Sequence, residues 1–415
     1  MKPLASQLGT LRANMGRSGS FTVMSLWVAM PVLGKPLGLA YLLLVPFLRD
    51  RNGPVLRGLR AFFLLSLVYA IYIAGRSVLA GPDASEPILD TLPLLIVSGL
   101  ALWAVRQPVQ IDIQLLFQAT CCMLAIVFFL AWGERIFLGI WRPELLLGNP
   151  LNVAPVLLVP ALFVTMARFA PSRFWAWFGL VAFAMAIYVI GGLSQSRGLF
   201  MGLWALVAVR LGFEFFAPTD IRSKLKNALG ILLTIGFVTT VIGSDSHLSG
   251  RYTAMAKTLT NSEAAPEWSV GLRMKMLKGG WAAFQERPLF GHGPQNRYDS
   301  AAEHFDSTGL PRFSHLHNDY LTHAVGGGAP LVVLLIALIF TPAVVGLRGN
   351  QTLTKTDAHA RREIGVLGSL AFAGVAAVNN IFFVDISAFT TAFSLVGILI
   401  ILAALEQDGA VNETV

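Results

Sequence analysis

The chain has 415 residues, 55% of them hydrophobic and only 13% charged, with a formal net charge of +8. Soluble domains carry about 25% charged residues, so this composition excludes a disordered chain, a nucleic-acid-binding domain and an ordinary soluble enzyme. The excess of basic residues suits loops that face anionic lipid.

A membrane helix takes about 20 mostly apolar residues. Apolar runs fall, in chain order, at 21–33, 37–48, 59–75, 91–105, 113–132, 152–167, 174–193, 198–216, 228–243, 320–347, 364–383 and 387–405. They predict an all-α polytopic membrane protein of about 12 transmembrane helices, forming a single transmembrane domain over 1–415. The first two runs are short and are split only by Gly34-Lys35-Pro36; one kinked helix across 21–48 is the alternative and would give eleven spans. The first run, with basic residues before it, also resembles a signal peptide and is read here as an uncleaved signal-anchor. The adjacent Cys121 and Cys122 sit inside an apolar run and support neither a disulfide framework nor a zinc site.

Loop charge then sets orientation. With both termini cytoplasmic, most lysines and arginines fall in cytoplasmic segments, and the short exterior loops hold only Lys35, Arg76, Arg135, Arg142 and Arg197. This is the bias of a positive-inside topology.

The exterior segment 244–319, between spans nine and ten and before the last three spans, is the one long loop. Loops of that length are usually functional. Within it Trp268–Glu286 reads as an amphipathic helix, with Val270, Met274, Leu277, Trp281 and Phe284 at three- and four-residue spacing and Arg273, Lys275 and Lys278 on the polar side. Such a helix is expected to lie on the outer leaflet, an arrangement compatible with a functional Arg273.

Six of the seven histidines lie between His247 and His323. Three readings fit the cluster His315-Leu316-His317-Asn318-Asp319-Tyr320, followed by His323. His315, His317 and Asp319 could ligate a metal, although no second cluster completes the sphere. The histidines could simply be solvated at an interface. A histidine could be a general base, since an imidazole pKa near 6.5 suits abstraction of a hydroxyl proton. The polar break Ser194-Gln195-Ser196-Arg197-Gly198 lies at the same predicted side. Its arginine either caps a helix end or binds an anion, because a guanidinium forks onto phosphate in a bidentate way. Arg273, Arg297 and Arg312 could add to the same positive field. Gly291-His292-Gly293 reads as a tight turn, and Gly326-Gly327-Gly328 as helix packing, a kink or a cleft.

At these residues the chain resembles the O-antigen ligase and polymerase superfamily of bacterial inner-membrane glycosyltransferases. The resemblance is carried by Ser194-Gln195-Ser196-Arg197-Gly198, by Arg273 through Trp281 followed by Pro288-Leu289-Phe290-Gly291-His292-Gly293, and by His317-Asn318 with Gly328 beyond it. The chain departs from the family pattern at Met201, where a leucine is usual, and at Leu331, where Gly, Thr or Tyr is.

The resemblance implies a GT-C-like helical fold in a Gram-negative inner membrane with a periplasmic active site. Its partners would be an undecaprenyl diphosphate-linked glycan as donor, lipid A–core as acceptor and membrane lipid. It implies an inverting, metal-independent transfer without cofactor or ATP. His317 would be the catalytic base and Arg197 and Arg273 the donor-diphosphate ligands, with His315, Asn318, Tyr320 and His292 in support. The alternatives are the polymerase of the same superfamily and, from another class, a transporter of a lipid-linked or anionic substrate. A transporter would place ionisable groups near the midplane and show repeated halves, and no repeat is apparent.

Overall fold

The computed structural model describes residues 57–83, 85–104, 113–140, 142, 145, 150–260, 268–307, 310, 312–348, 353–379 and 385–411. The runs at 21–33 and 37–48 lie outside them. Every described element is helical. The helices are α1 (Arg57–Ala80), α2 (Ser85–Leu89), α3 (Leu92–Ala104), α4 (Ile113–Phe137), α5 (Pro150–Phe163), α6 (Arg173–Tyr188), α7 (Arg197–Phe216), α8 (Ile221–Ser244), α9 (Ser246–Thr260), α10 (Trp268–Glu286), α11 (Arg297–Ala302), α12 (Asp319–Leu347), α13 (Lys355–Val378) and α14 (Asp385–Val411). Each apolar run from 59 onward coincides with a helix. Among the described residues seven helical stretches are long and apolar enough to cross a membrane: Arg57–Ala80, Ser85–Leu102, Ile113–Phe137, Arg173–Leu193, Gly198–Phe216, Ile221–Ser244 and Asp319–Leu347.

Local chemistry sets several boundaries. Ser172, Asp220, Asn318 and Thr354 cap α6, α8, α12 and α13, each accepting a backbone N–H of the first turn through its side chain, which satisfies one orphan donor. The C-terminal end of α6 widens into a π-turn over Val189–Leu193, a feature common near functional sites.

The centre of the bundle is the antiparallel pair α12 and α13. They cross where Gly346 faces Gly365; a Cβ on Gly365 would sit 2.5 Å from the Pro342 carbonyl oxygen. Small residues at such crossings let backbones approach closely enough for dispersion contacts to hold the pair. Around it stand α1, α7 and α14.

At one end of the bundle a buried ionic network ties four elements. Arg210 of α7 contacts Glu363 of α13 at 3.1 Å and Glu214 at 2.6 Å, and Arg168 pairs with the same Glu363. Arg210 also donates to Thr165 Oγ1 and to the Thr165 carbonyl. Arg210 and Glu363 are fully buried, so each charge relies on the other.

The segment between α8 and α12 is more structured than a polar loop. It holds α9, α10 and α11, and a small apolar core of Leu272, Met276, Ala283, Tyr298, Ala301 and Leu316 that Val325 of α12 completes. Helix α10 occupies Trp268–Glu286, the bounds expected from periodicity, but a different face is packed. Leu272, Met276, Gly279, Gly280 and Ala283 are buried, whereas Met274 and Trp281 of the expected apolar stripe are exposed. The reason is size. Gly279 lies against the Ala301 carbonyl and Gly280 against Leu316 and Leu321, so the helix docks through its smallest residues.

Candidate functional site

The site forms at the end of the bundle opposite the ionic network, where three separate segments meet the C-terminal turn of α13. The first is the turn 194–198. Ser194 Oγ donates to the Ile190 carbonyl and lies 3.2 Å from Ser196 Oγ, and Gln195 adopts φ 55°, a conformation non-glycine residues rarely take. Arg142, from the α4–α5 connection, donates through Nε at 3.1 Å and Nη2 at 2.8 Å to the Ser194 carbonyl. Helix α7 begins at Arg197. The Arg197 side chain lies outside the described residues, but its neighbour Gly198 packs on Val378, which a Cβ would meet at 3.3 Å. The Ser196 side chain does not cap α7. A helix N-terminus carries the positive end of the helix dipole, which favours an anion.

The second segment is α10. Arg273 is partly exposed and donates through Nη1 to the Val378 carbonyl at 3.4 Å. The third is the histidine loop. Asn318 Nδ2 donates to the Ala377 carbonyl at 2.9 Å, and Tyr320 OH to the Ala373 carbonyl at 3.1 Å. Residues distant in sequence thus converge on Ala373, Ala377 and Val378.

The three clustered histidines differ in what their nitrogens do. His323 is fully buried, with Nδ1 2.6 Å from the Asp319 carbonyl and Nε2 2.7 Å from Tyr69 OH. A carbonyl only accepts, so Nδ1 carries the proton and Nε2 receives the tyrosine hydroxyl; both nitrogens are committed. His315 Nδ1 accepts the backbone N–H of His317 at 3.1 Å. His317 Nδ1 is buried with no hydrogen-bond partner among the described residues. Its backbone is at φ 52°, a strained conformation of a kind that clusters at functional sites. Burial, with the nearby Arg273 charge second, pushes the His317 imidazole down to about 4. It is therefore neutral near pH 7 and able to accept a proton. Burial also holds His315 down to about 3, with His317, Arg297 and Arg273 adding to the effect.

Other expected contributors sit elsewhere or act differently. His292 lies 2.8 Å from the Ala283 carbonyl and 3.8 Å from Glu286, which ties it to the end of α10. Arg312 is exposed and forks onto Asp299, so its charge is compensated locally. Arg297 is buried and donates through Nε to the Ser314 carbonyl, anchoring the histidine loop from below. His315, His317 and Asp319 form no group that could hold a metal ion, and no other such group occurs among the described residues.

The two glycine-rich motifs explain each other. Helix α12 breaks at Gly328, at φ 73° and ψ −171°. Residues 288–293 fill the break: His292 N–H donates to the Val325 carbonyl, Gly293 N–H to the Gly326 carbonyl, and Ala329 N–H to the Pro288 carbonyl. The turn after α10 and the glycine run in α12 are one interlock, which fixes the Arg273 helix relative to the His317 loop.

Comparison with known proteins agrees with the motifs. Residues 180–336 match the family model described as O-antigen ligase. The resemblance drawn from the sequence is borne out over this stretch, which contains Arg197, Arg273, His317 and Gly328. An uncharacterized protein of Haemophilus influenzae is 28% identical over 208 residues, 48% of this chain and 51% of its own length. The chain thus spans about half the length of that curated relative. Outside the matched residues, α1 supplies Tyr69 to His323, and Tyr72, which donates to the Gly327 carbonyl at 2.7 Å; α13 supplies the carbonyls on which the site closes.

Proposed function

We propose that this protein is an O-antigen ligase of the Gram-negative inner membrane. It would transfer polysaccharide from undecaprenyl diphosphate to a hydroxyl of lipid A–core on the periplasmic side. The observation that carries the reading is the convergence on one turn of α13: Gly198, next to Arg197, and Arg273 both meet Val378, and Asn318, next to His317, meets Ala377.

The chemistry follows from those residues. The acceptor hydroxyl oxygen attacks the anomeric carbon of the donor as the bond from that carbon to the diphosphate oxygen breaks. His317 takes the hydroxyl proton. The diphosphate leaves with the bonding electron pair, and Arg197, Arg273 and the N-terminal amides of α7 stabilise its charge. Diphosphate needs no protonation to leave, so one base and a cationic clamp suffice. Attack opposite the leaving group inverts the anomeric configuration. Metal and cofactor have no assigned role in this scheme.

A strain lacking this protein tests the function. Loss of all long chains on lipid A, with carrier-linked polymer accumulating, is expected of a ligase. A single-repeat band would instead assign the chain as the polymerase of the same superfamily. Unchanged lipopolysaccharide would contradict both.

A further inference from the structure

We propose that His315 is a positioning residue, which locks His317 in its left-handed backbone conformation and takes no substrate proton. The inference rests on His317 being the base.

The loop is held from several directions. Leu316 N–H donates to Thr322 Oγ1 at 3.1 Å, and Thr322 Oγ1 donates to the Asn318 carbonyl at 2.7 Å. Asn318 accepts Leu321 N–H at 2.9 Å while reaching across to Ala377. These bonds fix the residues on either side of His317. The N–H of His317 itself goes to the ring two residues back, at His315 Nδ1. That bond defines the turn in which φ reaches 52°. The two rings meet edge to face at 4.3 Å, and Phe313 closes the other side of His317 at 5.5 Å. The backbone bond and the ring contact together set the direction of the His317 imidazole.

The same bond argues against a proton relay. An acceptor at Nδ1 requires the neutral tautomer with its proton on Nε2. In that tautomer Nε2 already carries a proton, and the Nδ1 lone pair is engaged by His317 N–H. Neither nitrogen is free to receive a proton from His317. Burial, which disfavours the charged ring, keeps His315 in this form.

Isosteric substitution separates positioning from relay. Asparagine places an amide oxygen where Nδ1 sits, and glutamine places its amide near Nε2. The full-length protein in detergent would be assayed for single-turnover transfer from a synthetic undecaprenyl diphosphate glycan to lipid A–core. His315→Ala and His315→Gln should lower the transfer rate by about 10- to 100-fold, the usual effect of a misplaced reacting group, with donor affinity unchanged. His315→Asn should restore most of the rate. An Asn variant no better than Gln, or full activity in all three, overturns the proposal. ¹⁵N NMR of the wild-type ring needs no variant to fold: an unprotonated Nδ1 is expected, and a protonated one overturns the proposal. His317→Ala is run alongside. Full activity there sinks the base reading itself, an outcome distinct from failure of the Asn rescue.

Discussion

Replacing Gly328 by Ala tests the interlock that holds the two halves of the site together. A Cβ at this position would lie 2.4 Å from the carbonyl carbon and oxygen of Leu289 and 2.7 Å from Phe290 N. All are backbone atoms, so no side-chain rotation relieves the contact. The dihedrals, φ 73° and ψ −171°, belong to a region essentially reserved for glycine, and forcing another residue there costs about 1–3 kcal/mol. If segment 288–293 withdraws, three backbone hydrogen bonds to 325–329 are lost, each worth about 1 kcal/mol net. The sum is a loss of about 4–6 kcal/mol for full detachment. Unfolding in mixed micelles of mild detergent and SDS would measure it. Gly374→Ala is the control, since a Cβ there meets nothing within 4 Å and Ala should stabilise α13 by about 0.5–1 kcal/mol. A Gly328→Ala variant within about 0.5 kcal/mol of wild type, the range of an inconsequential substitution, would show that the interlock does not hold the two segments. So would equal losses in both variants.

Three further outcomes follow from the site and the bundle. Transfer kcat/KM should stay level from about pH 8 to about pH 5.5, then fall as pH drops through the His317 value of about 4, because only the neutral ring accepts a proton and kcat/KM reports the free enzyme; a limb near 6.5 would contradict the burial argument. Purified protein should retain transfer in excess EDTA, and activity restored only by a divalent cation would contradict the arginine clamp. Glu363→Gln should cost about 3–5 kcal/mol of stability by taking the carboxylate away from Arg168 and leaving buried Arg210 only Glu214, while donor KM stays unchanged; a changed KM with intact stability would put the ionic network in the reaction.

Much of this was legible in the sequence for a simple reason: bilayer spans and helix periods are local patterns. The runs from 59 onward mark helices, and the stripe ending at Glu286-Arg287-Pro288 gives the bounds of α10. The packed face of α10 was not legible, because hydrophobicity points to Met274 and Trp281 while docking is governed by the small Gly279 and Gly280. The interlock of 288–293 with 325–329 was hidden because its partners are backbone groups far apart in sequence. The same holds for Arg142, whose partner is the Ser194 carbonyl, and for the Ala377 and Val378 carbonyls. The roles of the histidines were only half visible. Their clustering could be read directly, but which nitrogens are free depends on Tyr69, the Asp319 carbonyl and the His317 N–H.

In the proposed reaction His317 is the base while arginines hold the donor diphosphate. Single-turnover transfer by purified His317→Ala, with donor binding measured on the same sample, tests it most directly. Carrier-linked donor should still bind while transfer falls by about 10²–10⁴, the usual worth of a general base. Transfer at the wild-type rate, or lost donor binding with the chemical step intact, would contradict it.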